Sequence, residues 1–135
     1  MLKKHFFKFF FVSWMVLMTL ASLLSISFPD NDDDSFKFLH ADKVVHFVFY
    51  FVTTVLGTLF LREVGKGRRA IVPTIVKATL FAIIYGVIIE VIQAVFTTER
   101  SGDIMDALAN TIGAIAGAFF IKYFFSGKRQ LKWRL

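Results

Sequence analysis

Apolar residues fall into four long runs along the chain, and short polar stretches separate them. The runs cover about residues 9–28, 42–61, 74–96 and 103–125. Each has about 20 residues or more, which is the length that an α-helix needs to cross the hydrocarbon core of a bilayer. The pattern therefore predicts an all-α fold, an integral membrane four-helix bundle that forms a single domain over residues 1–135.

The first run has a second interpretation, because basic residues precede it as they do in a signal peptide. Three lysines lie within residues 1–8, and the small residues Ser25 and Ser27 lie near the end of the run. However, the apolar core exceeds the roughly 7–15 residues usual in signal peptides, and Phe28-Pro29 is a poor context for cleavage. We therefore expect a retained transmembrane helix.

Composition supports a membrane protein and excludes some chemistry. Hydrophobic residues make up 56% of the 135 residues and charged residues 19%. Soluble domains average about 45–50% apolar and about 25% charged residues. The sequence contains no cysteine, which excludes disulfides and thiol catalysis.

The net charge of +6 is compatible with nucleic-acid binding, but the positions of the cations argue against it. Thirteen of the sixteen Lys and Arg residues lie on one side of the four predicted spans, with both termini and the turn between the second and third runs. Nine of the ten acidic residues lie on the other side. The positive-inside rule makes the basic side cytoplasmic, an N-in/C-in topology. The basic tail at residues 126–135 then suits anionic lipid of the inner leaflet, and no nucleic-acid partner is predicted.

Polar and small residues within the last three runs recur three and four positions apart, so that each set follows one face of a helix. A charge at the centre of a membrane helix costs about 2.5–3.5 kcal/mol on insertion scales, so we expect these faces to turn toward one another. Their ionisable groups all lie toward the outer ends of the spans, which predicts a polar site open to the outside. The faces comprise Asp42, His46, Tyr50, Thr53 and Gly57 in the second run, Gly86, Glu90, Gln93 and Thr97 in the third, and Asp103, Asp106, Asn110, Gly113 and Gly117 in the fourth.

Several of these residues also have a structural interpretation. Gly113 and Gly117 are expected to let two helices approach closely. Gln93 and Asn110 suit interhelical hydrogen bonds, and Asp42 suits a helix cap. Thr53 also suits an interhelical hydrogen bond, and His46 near the interface suits a solvated side chain. For these five polar residues a functional and a purely structural role both stay open.

Glu90 is the hardest of these residues to explain by structure alone. A carboxylate inside a membrane needs either a partner or a proton. Lys43 and Arg100 are the nearest cations in the sequence that are placed to pair with Glu90 or Asp106.

The polar residues form an ordered motif over residues 42–117. It comprises Asp42-Lys43-x-x-His46-x-x-x-Tyr50, Glu90-x-x-Gln93, Arg100, and Asp103-x-x-Asp106-x-x-x-Asn110-x-x-Gly113. This motif resembles that of the VanZ-like family, named after a protein associated with resistance to the glycopeptide antibiotic teicoplanin. The resemblance implies a small multi-pass protein of the bacterial plasma membrane with a cell-envelope or antibiotic-resistance function, and supplies no mechanism. Where the family usually has a proline near the motif arginine, this chain has Thr97-Thr98-Glu99, which implies a changed turn.

The first functional hypothesis is a binding protein whose outward-facing pocket holds an amphiphile. The ligand would be a membrane lipid, a lipid-linked cell-wall precursor or a lipoglycopeptide, with Lys43 and Arg100 meeting its anionic groups. No resident metal or cofactor is predicted, and the sequence leaves the oligomeric state open. The predicted ligand-binding residues are Asp42, Lys43, His46, Tyr50, Glu90, Gln93, Arg100, Asp103, Asp106 and Asn110.

The alternative hypothesis is a membrane-embedded hydrolase or transferase that acts on a lipid or a lipid phosphate. His46, Glu90 and Asp106 are the candidate catalytic groups, with Arg100 stabilising an anion. In this alternative the carboxylates are also able to hold a divalent metal. The chain lacks a recognisable serine, cysteine or H-E-x-x-H signature, so whether it is an enzyme stays uncertain. Ion-coupled transport and a purely structural role are further alternatives.

Overall fold

The computed structural model describes residues 5–24, 41–96 and 104–125, without the side chains of residues 41 and 42. Within these ranges the chain forms four α-helices. They are α1 (Phe6–Leu24), α2 (Ala41–Val64), α3 (Ile71–Phe96) and α4 (Ile104–Phe125). All four are long and apolar enough to cross a membrane, which confirms the predicted all-α, four-helix membrane class.

The helix ends differ from the predicted runs, because helices do not stop where hydropathy stops. α1 begins at Phe6, and α2 continues beyond residue 61 to Val64. The turn after α2 contains Lys66 and Gly67, both with positive φ, which ends the helix. Pro73 lies in the first turn of α3, where a missing backbone N–H is tolerated. Residues 25–28 and 103, also predicted to be helical, lie outside the described residues.

α2, α3 and α4 pack against one another as a three-helix core, and α1 lies against this core mainly through α2. A buried apolar layer brings together the end of α2, the start of α3 and the end of α4, through Leu59, Ile71, Ile75 and Ile121. Successive helices of the core are therefore antiparallel. We call the end of the bundle that contains this layer the basic end, since Arg62, Lys66, Arg68, Arg69, Lys77 and Lys122 lie toward it.

Two glycines allow α4 to cross α2 at very short range. A Cβ atom added to Gly113 would lie 2.9 Å from the carbonyl carbon of Phe47 and closer still to its oxygen. A Cβ atom on Gly117 would lie 2.6 Å from the carbonyl oxygen of Phe51. The prediction that Gly113 and Gly117 serve close packing is therefore confirmed, with the backbone of α2 as the partner.

Polar contacts fix α1 to the bundle at both ends. At its start, the Glu63 carboxylate accepts hydrogen bonds from the backbone N–H groups of Lys8, at 2.9 Å, and of Phe7, at 3.3 Å. These N–H groups have no partner within the helix, and the negative charge suits the positive end of its dipole. Near the other end, the side-chain amide of Gln93 donates to the backbone oxygen of Ser22 at 2.9 Å.

Trp14 holds the middle of α1 against α2. The Trp14 Nε1–H donates to the Thr53 hydroxyl of α2 at 3.0 Å, and that hydroxyl bonds to the backbone oxygen of Phe49 at 2.7 Å. Thr53 is fully buried and so serves as interhelical glue, one of the two roles left open by the sequence.

Candidate functional site

The polar faces of α2, α3 and α4 meet at the end of the bundle opposite the basic end, which we call the site end. His46 lies near the start of α2, Glu90 near the end of α3, and Asp106 and Asn110 near the start of α4. All four residues are buried, with exposed fractions of 7%, 8%, 9% and 2% in that order. The three-helix core thus encloses ionisable groups at one end and an apolar layer at the other.

One buried network joins a side chain from each core helix. His46 Nδ1 lies 2.9 Å from the Asn110 side-chain oxygen, and the Asn110 amide nitrogen donates to Glu90 Oε1 at 3.2 Å. Because an amide oxygen only accepts, this arrangement assigns a proton to Nδ1. The same nitrogen lies 3.4 Å from Glu90 Oε1. Asn110 therefore connects the imidazole to the carboxylate, and each of these buried polar groups has a partner.

A second pair of charged groups lies one helical turn nearer the end of the bundle. Lys43 Nζ is 3.6 Å from Asp106 Oδ1, and their side chains are 29% and 12% exposed. The sequence left Glu90 and Asp106 as possible partners of Lys43, and the structure pairs Lys43 with Asp106. The separation exceeds the roughly 2.7–2.9 Å of a charge-assisted hydrogen bond. Accordingly, Asp106 Oδ1 has no hydrogen-bond partner within the described ranges.

The floor of the site is formed by an aromatic ring against a glycine. A Cβ atom added to Gly86 would lie 3.0 Å from Cε1 of Tyr50 and 3.3 Å from Cβ of Asn110. Gly86 therefore makes room for the Tyr50 ring, which is 1% exposed. The Tyr50 hydroxyl is also buried and has no hydrogen-bond partner among the side chains and backbone that the structure describes.

A family model described as VanZ/LLP1 matches residues 3–125 of the chain. This chain belongs to the VanZ/LLP1 family. The match includes all four described helices and so extends beyond residues 42–117, which carry the motif. No curated protein and no solved structure matches the chain.

Six of the ten residues predicted for the site of this VanZ/LLP1 family member lie together at the site end. His46, Glu90 and Asn110 form the network, Lys43 and Asp106 lie above it, and Tyr50 lies below it. Gln93 instead turns toward α1, where it bonds to the backbone of Ser22. The side chain of Asp42, and the whole of Arg100 and Asp103, lie outside the described residues.

Sequence reasoning missed the contribution of α1 to this end of the VanZ/LLP1 bundle. The acceptor for Gln93 is the backbone oxygen of Ser22, and the hydroxyl of Thr19 contacts that of Tyr85. A backbone oxygen carries no sequence signal, and the polar residues of α1 follow no helical period. The indole of Trp14, an N–H donor in an apolar run, is a signal that could have indicated a polar partner for α1.

Three groups of this site have the chemistry of metal ligands. His46, Glu90 and Asp106 each offer one ligand atom, and these atoms all lie within 4.8 Å of one another. A nitrogen and two carboxylate oxygens in this arrangement are also able to exchange protons or accept hydrogen bonds from an amine or a hydroxyl.

Proposed function

We propose that this VanZ/LLP1 protein binds the polar head group of an amphiphile at the site end, as part of cell-envelope function in the bacterial plasma membrane. The observation that carries the proposal is the cluster of His46, Glu90, Asp106 and Asn110, which brings three ionisable side chains together in the buried part of a membrane bundle. Ionisable groups inside a membrane are expensive, and where they occur they usually mark a binding or transport site. Packing alone would be achieved more cheaply with apolar side chains.

The charges at the mouth of the site suit a head group with both anionic and donor groups. Lys43 is partly exposed and its contact with Asp106 is long, so a phosphate or carboxylate of the ligand competes for the ammonium at low cost. Asp106 and Glu90 then accept hydrogen bonds from amines or hydroxyls. Lipid-linked cell-wall precursors and lipoglycopeptides such as teicoplanin combine both kinds of group with an acyl chain, and capture of such a molecule would connect binding to glycopeptide resistance.

Two apolar hollows that share Phe81 suit the acyl chain of such a ligand. The first part, between α1 and α3, has a volume of about 430 Å³, and the second, among α1, α2 and α3 and nearer the basic end, has about 240 Å³. Binding sites for small molecules typically have about 300–1,000 Å³ and mostly apolar walls. The first part is lined by Met15, Val16, Thr19, Leu20, Phe81 and Tyr85.

A membrane-embedded enzyme that acts on a lipid phosphate is the second candidate function. It is favoured by the distance of 3.4 Å between His46 Nδ1 and Glu90 Oε1, which is close enough for proton transfer after a small movement. Ion transport is less well supported, because Leu59, Ile71 and Ile121 close the core with an apolar layer at the basic end.

The proposal includes an orientation in which the site end faces outward, as the distribution of cations predicts. The chain has no cysteine, so single cysteines can be introduced without background. We expect Asp33→Cys, in the acidic stretch of sequence before α2, to react with a membrane-impermeant maleimide in intact cells. Lys66→Cys, in the turn after α2, should react only after the membrane is opened. The reverse pattern would overturn the orientation.

Binding is tested by mass spectrometry of the protein purified from bacterial membranes with its native lipids. We expect a co-purified amphiphile, and Glu90→Gln should reduce its amount at least about tenfold, the equivalent of about 1.4 kcal/mol. Glu63→Gln, the same change at the basic end, is the matched control and should retain the ligand. Equal amounts of ligand in the wild type and in Glu90→Gln would contradict the proposal, and turnover of the bound lipid would favour the enzyme.

A further inference from the structure

We propose that His46, Glu90 and Asp106 together bind one divalent metal ion of the Zn²⁺ or Mn²⁺ type. Each core helix contributes one ligand, and the three ligand atoms lie within 4.8 Å of one another. The sequence predicted no resident metal and allowed a divalent ion only as part of the enzyme alternative, whereas this proposal does not require catalysis. It also does not depend on the identity of any amphiphile.

An independent observation is the unsatisfied oxygen of Asp106. This residue is 9% exposed, and its Oδ1 has no hydrogen-bond partner in the described part of the chain. A buried polar atom without a partner costs about 1–3 kcal/mol, and more when it is charged. The ammonium of Lys43 is 3.6 Å away, which is too long to satisfy this oxygen by hydrogen bonding. A metal ion bound between Asp106 and Glu90 would satisfy it directly.

A second buried polar group points to the same place. The Tyr50 hydroxyl lies one turn below His46 and has no hydrogen-bond partner among the described residues. A metal ion held by three protein ligands keeps open positions for water. Such a water would give the Tyr50 hydroxyl a hydrogen-bond partner, and groups around metal sites commonly bond in this way.

The donor set selects the class of ion. Imidazole nitrogen favours Zn²⁺ and its transition-metal neighbours, whereas carboxylate oxygen suits Mg²⁺, Ca²⁺ and Mn²⁺. One nitrogen with two carboxylates therefore favours Zn²⁺ or Mn²⁺ over Mg²⁺ and Ca²⁺. In a tetrahedral site with metal–ligand distances of about 2.0–2.2 Å, the ligand atoms lie about 3.3–3.6 Å apart, so atoms now up to 4.8 Å apart must approach by as much as about 1.5 Å, which rotation of the His46, Glu90 and Asp106 side chains would supply.

Metal binding requires a defined change in the network. The proton on His46 Nδ1 moves to Nε2, so that Nδ1 presents its lone pair to the metal. The Asn110 oxygen, which is 2.9 Å from Nδ1, then loses its donor and becomes available as a fourth ligand. Asn110 would remain bonded to Glu90 through its amide nitrogen.

The charges at the site favour exchange of Lys43 for a divalent ion. With neutral His46, the charges of Lys43, Glu90 and Asp106 sum to −1. Replacing the ammonium by a +2 ion makes the set neutral, which is the cheaper state inside a membrane. Lys43 has 29% of its side chain exposed and is able to turn its ammonium toward the interface.

The test uses the untagged full chain in detergent, stripped with a chelator, dialysed against ZnCl₂ or MnCl₂ alone and analysed for metal by mass spectrometry. We expect one ion per chain. Asp106→Asn should weaken binding at least about 100-fold, because even loss of an outer partner costs about 10–100-fold. Glu63→Gln is the matched control and should bind as the wild type does. Less than about a tenth of an ion per wild-type chain would overturn the proposal.

Lys43→Gln tests the proposal even where a ligand variant fails to fold. Removal of the competing ammonium should tighten metal binding by roughly tenfold, or about 1.4 kcal/mol. A purely structural ion pair between Lys43 and Asp106 predicts no such gain, so unchanged or weaker binding would overturn the proposal. X-ray absorption of the Zn²⁺ form should show one nitrogen and at least two oxygen ligands from the protein, and a ligand shell without histidine would also overturn it.

Discussion

Gly113→Ala is expected to destabilise the bundle by about 3 kcal/mol, at the upper end of the range for overpacked cores. The new methyl carbon would lie 2.9 Å from the carbonyl carbon of Phe47 and closer still to the carbonyl oxygen. A backbone carbonyl inside a helix cannot rotate aside as a side chain can. The whole of α4 must therefore move away from α2, which weakens the contacts along that crossing.

The prediction for Gly113 is measured as the free energy of unfolding in mixed micelles. Gly57→Ala is the matched control, since a Cβ atom there would meet the ring of Phe11 at 3.3 Å and the Cβ atom of Ala78 at 3.6 Å. These side chains are able to shift, and alanine is the better helix former by about 1 kcal/mol, so the control should be nearly neutral. Equal losses of stability for Gly113→Ala and Gly57→Ala would show that the close crossing of α2 and α4 does not determine the stability of the bundle.

Asn110→Leu is expected to cost about 3 kcal/mol of stability, although leucine has a similar size. The change removes the acceptor for His46 Nδ1 and a donor to Glu90 Oε1, and Asn110 is only 2% exposed. Loss of a partner in a buried network costs about 1–3 kcal/mol per unsatisfied group, and more for a charge. The loss should be accompanied by separation of α4 from both α2 and α3.

Thr111→Val is the matched control for Asn110→Leu. The Thr111 hydroxyl bonds only within its own helix, to the backbone oxygen of Ala107 at 2.9 Å, among the contacts described. Its replacement leaves no buried group between helices without a partner, so the free energy of unfolding should change by less than about 0.5 kcal/mol. A loss for Asn110→Leu no larger than that of the control would mean that the network does not hold the three helices together.

The two predictions concern neighbouring positions of one architecture. Gly113 lies one turn below Asn110 on the same face of α4, so the close crossing fixes α4 directly beneath the polar network. A binding site needs side chains whose positions are set by rigid packing around them. The glycines of α4 thus serve the candidate site although they carry no functional group.

Much of the candidate site follows from periodicity. The 3–4 spacing placed His46, Glu90, Asp106 and Asn110 on the inner faces of their helices, and the structure buries all four. Exposure of these polar groups to lipid would cost more free energy than their burial between helices. For this reason the spacing correctly predicted that they face inward. Periodicity did not identify the partner of each group, because partners depend on the vertical register of one helix against another.

The partner of Gln93 could not be predicted from residue spacing. Successive helical residues are rotated by about 100°, so residues three apart differ by about 60° around the axis. Glu90 and Gln93 were expected to share a face, yet that difference is enough to direct Glu90 to Asn110 and Gln93 to Ser22 of α1. α1 displays no polar period, so its position beside Gln93 was not predictable.

The sequence by itself determined the four membrane helices, the separation of cations from acids, and the faces that carry the polar residues, because hydropathy and helical period are local properties. Only the tertiary structure decided that Asn110 joins His46 to Glu90, that Lys43 meets Asp106, and that Tyr50 closes the floor against Gly86. These contacts depend on the rotation and register of whole helices. Both are set by close packing at positions such as Gly113, where a backbone meets a backbone and no local pattern specifies the partner.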